Sequence, residues 1–175
     1  MVSLEQKSSN NVSTGTLTKY SFQSTSLNLP TSFNVFVPGS ASKSSPVPVL
    51  FYLAGLTCNE DTGAQKGGIL NTAGQEGIAV VFPDTSPRGA GIEGEDEDWD
   101  FGTGGFLMLW SVLIIGAGFY LTATDPKWRK HYNMYDLVIK ELPAVLKEAD
   151  LGIDTSRMSI MGHSMGGTFS DTSKC

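Results

Sequence analysis

Cysteine and positive charge are both scarce in this sequence. The two cysteines, Cys58 and Cys175, are too few for the disulfide framework of a small secreted protein, so a reducing, cytoplasmic location is the simpler interpretation. The formal net charge is −6, from 12 Lys and Arg against 18 Asp and Glu. An acidic chain without a basic stripe argues against nucleic acid as a partner. Residues 1–15 are polar and lack the apolar run of a signal peptide.

The length of 175 residues corresponds to about one domain, and the chain shows no internal repeat or long linker. Residues 1–14 contain few apolar side chains to offset the entropy of ordering the backbone. We therefore expect a flexible N-terminal segment over residues 1–19, followed by the N-terminal part of one folded domain over residues 20–175.

Strand and helix signals alternate along this domain. Phe33 to Val37 alternate in the manner of a strand, whereas Pro46–Leu53 and Gly77–Pro83 are continuously apolar, as in strands buried on both faces. Gln65–Gln75 between them is a weak helix because three glycines lower its propensity. Strand, helix and strand in succession predict an α/β protein with a mostly parallel sheet flanked by helices.

A second helix is predicted over Met134–Lys147 from apolar residues at helical spacing, with Pro143 expected to kink or shorten it. The acidic run Glu93–Asp100 lacks the ligand spacing of a calcium loop and is interpreted as a solvated loop rather than a metal site. No metal or cofactor is predicted.

The most informative stretch is Met158–Gly167, a short apolar run that leads into Gly-His-Ser-Met-Gly. Gly-x-Ser-x-Gly is the form of a nucleophile elbow, in which a serine sits on a tight turn between a strand and a helix. This pentapeptide also occurs in ordinary turns, but the preceding apolar strand favours the elbow. Ser164 would then be a nucleophile, and the amide N–H of Met165 would point toward a developing oxyanion.

Several blocks together closely resemble the S-formylglutathione hydrolases, also called the esterase D family. The blocks, in the family's order, are Leu53–Cys58, Pro83–Gly89, Trp99–Gly104, Ala117–Tyr120 and Gly162–Gly167. The resemblance implies an incomplete α/β-hydrolase fold and a serine thioesterase that hydrolyses S-formylglutathione to glutathione and formate, a step in formaldehyde removal.

The resemblance also assigns roles to particular residues. It implies that Ser164 is the nucleophile, that Leu56 and Met165 supply the oxyanion-hole amides, and that Cys58 lies near the site. On sequence alone, Cys58 is better interpreted as a small buried hydrophobe than as a reactive thiol. The implied partner is a small thioester substrate, and the resemblance leaves a homodimer open.

One departure from the family is an apolar insertion at residues 105–116 between two family motifs. The surrounding window, residues 101–123, carries no charge and on hydropathy alone is long enough to cross a bilayer. Both edges of that window belong to one domain, and a membrane span would separate its strands. An insertion or an unspliced gene segment is therefore favoured over a membrane helix.

A second departure is the divergent tail, residues 168–175, which is rich in residues that favour caps and turns over a helix. The fold's order of Ser, then Asp or Glu, then His places the acid and base after the nucleophile, yet both histidines, His131 and His163, precede Ser164. We interpret the chain as a truncated or mis-spliced hydrolase with little activity of its own. The alternatives are a general short-chain carboxylesterase and a non-catalytic, membrane-anchored hydrolase fragment.

Overall fold

A six-stranded mixed sheet forms the centre of the part of the chain that the structure describes. The computed structural model describes residues 2–95 and 119–172, with side chains described as far as Thr168. The order across the sheet is β1-β2-β3-β5-β4-β6, and β4 runs parallel to both β5 and β6. The strands are β1 (Glu5–Val12), β2 (Gly15–Ser24), β3 (Leu29–Pro38), β4 (Val47–Leu53), β5 (Ala79–Pro83) and β6 (Ile153–Gly162). The predicted α/β class is confirmed, but the expectation of a mostly parallel sheet is wrong for the described strands. Only β4–β5 and β4–β6 pair in parallel, whereas β1–β2, β2–β3 and β3–β5 are antiparallel. Short turns join β1 to β2 and β2 to β3, and such turns connect only antiparallel neighbours.

The N-terminal hairpin differs from the sequence-based expectation. β1 pairs antiparallel with β2 from Glu5 to Val12, so the segment 1–19 that was expected to be flexible holds β1 and the first half of β2. The side chains of β1 are exposed along nearly its whole length. Its order comes from main-chain pairing with β2 rather than from burial, and it therefore lacks the apolar alternation by which strands are recognised.

The predicted buried strands are confirmed in position, but they differ in how completely they are covered. Every residue of β5 is buried, whereas β4 alternates between buried and half-buried residues. Val49 and Phe51 of β4 face the larger of two hydrophobic clusters, and Tyr52 packs against the smaller one. The last strand, β6, exposes 42% of Met158 and 38% of Met161.

Two short helices replace the one predicted at Gln65–Gln75. They are α1 (Glu60–Lys66) and α2 (Leu70–Gln75), separated near Gly68, which has a φ of +66°. The Asn59 side chain caps α1 by accepting hydrogen bonds from the amides of Asp61 and Thr62. This asparagine cap is a local start signal, and it moves the start of the helix ahead of the predicted one.

The predicted helix at Met134–Lys147 is confirmed in position, but it is not uniform. It consists of α3 (Met134–Asp136), a π-helical segment (Leu137–Glu141) and α4 (Leu142–Ala149). Pro143 lies in the first turn of α4, where a missing N–H is tolerated, so it marks the junction of two helical forms.

Glu141, at the end of the π-helical segment, ties this helix to the turn between β2 and β3. Its carboxylate accepts hydrogen bonds from Ser24 Oγ (2.6 Å), Thr25 N (2.6 Å), Thr25 Oγ1 (2.8 Å) and Ser26 N (3.1 Å). Burial on its own raises the pKa of Glu141, but these hydrogen bonds outweigh it and hold the pKa below its ordinary value of 4.5.

Replacing Glu141 by glutamine removes one carboxylate oxygen from this cluster of donors and should lower the free energy of unfolding by about 1–3 kcal/mol at neutral pH. Because the folded pKa is lowered, the stabilisation is present above pH 4.5 and is lost as the pH falls through the folded pKa. Urea unfolding at about pH 7 and about pH 3 should therefore show a gap in stability between E141Q and the unmodified chain that is smaller at the lower pH.

The matched control is E76Q, which alters an exposed carboxylate of the same type. It should leave the stability unchanged at both pH values. A gap for E141Q that is equally large at both pH values would contradict the role given to the ionised carboxylate.

Some sequence predictions fall outside the described residues. The insertion at 105–116, most of the acidic run Glu93–Asp100 and most of the window 101–123 lie there. Among residues 2–95 and 119–172, no helix has the length and apolar character needed to span a membrane.

Candidate active site

The carboxyl ends of β4 and β6 meet at one point of the sheet. The parallel register of these strands places Leu53 opposite Gly162, and the amide of His163 donates to the Leu53 carbonyl at 3.0 Å. After these residues the chain turns away from both strands. The segment after β4 carries Leu56, and the segment after β6 carries Ser164, so the sheet brings the two predicted parts of the site together.

Ser164 sits on a strained turn between β6 and α5 (Met165–Thr172). Its φ is +55°, in the left-handed region that side-chain-bearing residues rarely occupy. The Ser164 carbonyl accepts from the amides of Gly167 at 2.8 Å and Thr168 at 3.2 Å, which starts the helix directly after the serine. The serine is exposed to solvent. This is the geometry of a nucleophile elbow, as the sequence pattern predicts.

Two glycines allow this turn to pack against β4. A Cβ on Gly166 would lie 2.1 Å from the Leu53 carbonyl oxygen, and a Cβ on Gly162 would lie 2.2 Å from the Gly166 carbonyl. Both contacts are with backbone, which cannot move aside without breaking the turn. The Gly-x-Ser-x-Gly pattern is thus explained by the close approach of three stretches of main chain.

The helix after the elbow corrects a sequence-based expectation. The tail at residues 168–175 was expected to disrupt this helix, but α5 runs to Thr172, while residues 173–175 lie outside the described part. Met165 at its start is 2% exposed and belongs to the larger core cluster. Packing of this anchor and the hydrogen bonds to the Ser164 carbonyl override the weak helix propensity of Ser, Thr and Asp.

The segment after β4 forms a tight turn beside the elbow. The Cys58 amide donates to the Gly55 carbonyl at 3.3 Å, and Thr57 has a φ of +63°, which is strained for a β-branched residue. A Cβ on Gly55 would lie 3.2 Å from the Cβ of Ser164. We call residues 54–58 the donor loop, because the family resemblance implies that Leu56, at its centre, supplies an oxyanion-hole amide. Cys58 is a free, half-buried cysteine at its end.

Sequence reasoning gave no role to the side chains that hold the donor loop. The hydroxyl of Tyr120, a fully buried residue, donates to the Ala54 carbonyl at 3.0 Å. Burial, with smaller effects of Asp84 and Cys58, raises the pKa of Tyr120 well above its ordinary value of 10.0, so the hydroxyl keeps the proton it donates. Tyr120 and Asp84 both belong to sequence blocks that carry the family resemblance. The carbonyl that Tyr120 contacts is distant in the sequence, and no local sequence pattern predicts such a contact.

Neither histidine acts as a base for Ser164 in the part of the chain that the structure describes. His131 is buried, and its Nδ1 lies 2.7 Å from the Leu27 carbonyl oxygen. His163 belongs to the elbow and is exposed, with no hydrogen bond to the serine hydroxyl among the described residues. The described residues therefore bring the predicted nucleophile position, Ser164, beside the segment that carries Leu56, without a base for the serine.

A serine on a strained turn between a parallel strand and a helix, at the carboxyl edge of the sheet, defines the α/β-hydrolase class of fold. Residues 24–170 match the family described as "Putative esterase". The chain belongs to this esterase family, whose members are serine hydrolases.

Within this family, the chain is similar to several S-formylglutathione hydrolases. The S-formylglutathione hydrolase of Arabidopsis thaliana is 46% identical over 149 residues, which are 85% of this chain and 48% of that protein. That of Mus musculus is 42% identical over 166 residues, 95% of this chain and 54% of the relative. The solved S-formylglutathione hydrolase from Agrobacterium tumefaciens matches with a TM-score of 0.81 at 38% identity, covering 95% of this chain and 55% of that one. The chain spans about half the length of the relatives it matches.

Replacing Gly166 by alanine should destabilise the protein by about 3 kcal/mol or more, because the new methyl group has only backbone to displace. The neighbouring Gly167 is the matched control, since a Cβ there would meet its nearest atom at 3.4 Å. G167A should be neutral or slightly stabilising, as alanine favours a helix over glycine by about 0.5–1 kcal/mol. Urea unfolding measures both variants, and equal stability of G166A and G167A would count against the described elbow.

Proposed function

We propose that this chain is the nucleophile-bearing part of an S-formylglutathione hydrolase, with Ser164 as the nucleophile. The observation that carries the proposal is the position of Ser164 on the elbow beside the donor loop, so close that a Cβ built on Gly55 would lie 3.2 Å from the Ser164 Cβ. The similarity to S-formylglutathione hydrolases at 40–46% identity supports the substrate. A strained serine beside backbone donors suits attack on a carbonyl carbon.

In the proposed reaction the Ser164 hydroxyl attacks the formyl carbon of the thioester while a base removes its proton. The carbonyl oxygen becomes an oxyanion that accepts hydrogen bonds from the amides of Leu56 and Met165. Collapse of this intermediate breaks the C–S bond and releases glutathione, whose sulfur takes up the proton. Water then hydrolyses the formyl ester, so that formate leaves and the serine regains its hydrogen.

The base and its acidic partner are proposed to lie in the half of the relatives' length that this chain does not match. In this fold both follow the nucleophile, and no histidine follows Ser164 among the 175 residues. The exposed Met158 and Met161 on β6, the last strand of the described sheet, support packing of that half beside β6. Cytoplasmic location and a homodimer remain proposals of the same kind, to be tested by fractionation and sizing.

The test uses the chain joined to the corresponding second half of the Arabidopsis relative. This completed protein should hydrolyse S-formylglutathione at ordinary enzyme rates, about 1–10³ per second. A fluorophosphonate probe should label it at Ser164, and S164A should be unlabelled. S159A, which alters an exposed serine on the strand before the elbow, is the matched control and should label normally.

The outcomes of this test are distinct. Faster turnover of short acetyl esters than of S-formylglutathione would favour the general carboxylesterase instead. Equal labelling of S164A and the unmodified protein would remove Ser164 from the mechanism.

The 175-residue chain by itself should show activity near background. Without an imidazole placed to accept its proton, the Ser164 hydroxyl stays protonated and is a weak nucleophile at neutral pH. An oxyanion hole and substrate binding alone leave about 10³–10⁴-fold catalysis over water, far below enzymatic rates. Turnover of S-formylglutathione by this chain at the rate of the completed protein would contradict the proposed location of the base.

A further inference from the structure

The carbonyl of Cys58 is held by two side chains from a different part of the chain. Arg88 Nη2 donates to it at 2.6 Å, and Thr85 Oγ1 makes a second, short hydrogen bond to the same oxygen. Both donors lie in the segment that follows β5, the strand adjacent to β4. The end of the donor loop is therefore fixed to the carboxyl end of the neighbouring strand.

Asp84 sets the orientation of the arginine. Arg88 Nε contacts both carboxylate oxygens of Asp84, at 2.8 and 3.0 Å, which leaves Nη2 directed at the Cys58 carbonyl. The Asp84 side chain is 8% exposed and also accepts from the Thr85 amide at 2.6 Å. Burial raises the pKa of Asp84 above its ordinary value of 3.8, and the pairing with Arg88, which acts in the opposite direction, offsets only part of this effect.

The held carbonyl lies between two constrained features of the main chain. On one side is the turn closed by the Cys58 amide and the Gly55 carbonyl, with the strained Thr57 inside it. On the other side Asn59 caps α1. Because a strained turn persists only when its surroundings hold it, the contacts at Cys58 determine where the amide at the centre of the loop points.

We propose that Arg88, oriented by Asp84, is a positioning residue that fixes the Leu56 amide for the oxyanion. The inference rests on the proposed function and adds to it the residues that set the geometry of one donor. Arg88 touches the loop carbonyl and not the reacting atoms. Its contribution therefore belongs to the transition state, where the direction of the Leu56 N–H matters, and not to substrate binding.

The chain provides a matched control for this arginine. Arg157 makes the same pair of contacts elsewhere, with Nε donating to Asp154 at 2.7 Å and Nη2 donating to the Pro46 carbonyl at 2.8 Å. Pro46 precedes β4, at the opposite end of the strand from the donor loop. Arg157→Met thus removes an equivalent Asp–Arg–carbonyl bridge that has no connection to Leu56.

The first measurement needs no activity and uses the 175-residue chain itself. Backbone relaxation by NMR should show the Leu56 order parameter falling from about 0.85 in the unmodified chain to below about 0.6 in Arg88→Met. Arg157→Met should leave it unchanged. An unchanged Leu56 amide in Arg88→Met would overturn the proposal whatever the substrate proves to be.

The second measurement uses the chain completed with the Arabidopsis second half. Loss of a whole oxyanion donor costs about 10²–10³-fold in kcat, so a misdirected donor should cost about 10–100-fold. In Arg88→Met, KM should stay within about 3-fold, because ground-state contacts are retained. The affinity for a boronate, which mimics the tetrahedral intermediate, should fall in parallel with kcat. Arg157→Met should leave all three quantities unchanged.

If Arg88→Met does not fold, Thr85→Val tests the positioning role instead. This substitution removes the other hydrogen-bond donor to the Cys58 carbonyl and keeps the shape of the threonine side chain. It should lower kcat and boronate affinity together, whereas Thr85→Ser should retain both. A rise in KM with unchanged kcat, or equal losses in Arg88→Met and Arg157→Met, would overturn the positioning role. If the completed protein prefers acetyl esters, the proposed substrate is wrong, but the same ratios measured on that ester still test Arg88.

Discussion

The register between β4 and β6 is the constraint on which the rest of the site depends. Pairing of Leu53 with Gly162 makes both strands end at the same level, so the loops that follow them start side by side. The elbow then fits only because Gly162 and Gly166 have no side chains where the backbone of β4 passes. A slip of the register would separate the serine from the donor loop, even if each turn kept its local conformation.

Two strained residues, Thr57 in the donor loop and Ser164 in the elbow, are each held by contacts that originate elsewhere in the chain. The elbow is fixed by Met165, the buried first residue of α5. The donor loop is fixed at its start by the Tyr120 hydroxyl and at its end by the Arg88 and Thr85 contacts. Strain of this kind costs about 1–3 kcal/mol per residue, and it persists where surrounding structure over-determines the backbone.

Features with a strong local signal could be predicted from sequence: the apolar strands β4 and β5, the amphipathic helix around Val138, and the elbow at Ser164. The hairpin formed by β1 could not, because an exposed strand held by main-chain bonds leaves no apolar period to detect. The helix after the elbow was wrongly rejected, since its order depends on burial of Met165 rather than on propensity. The hydrogen bonds from Tyr120 and Arg88 to the donor loop could not be predicted either. Each joins residues far apart in the sequence, 66 positions for Tyr120 and 30 for Arg88, and no local pattern indicates such a contact.

The central claim is that the amides of Leu56 and Met165 converge on the oxygen that forms when Ser164 is acylated. A crystal structure of the completed protein with a phosphonate bound to Ser164 tests this most directly. We expect the phosphonyl oxygen to lie about 2.7–3.1 Å from both amide nitrogens. A phosphonyl oxygen directed away from both amides, in a fully modified and folded protein, would contradict the account of this site.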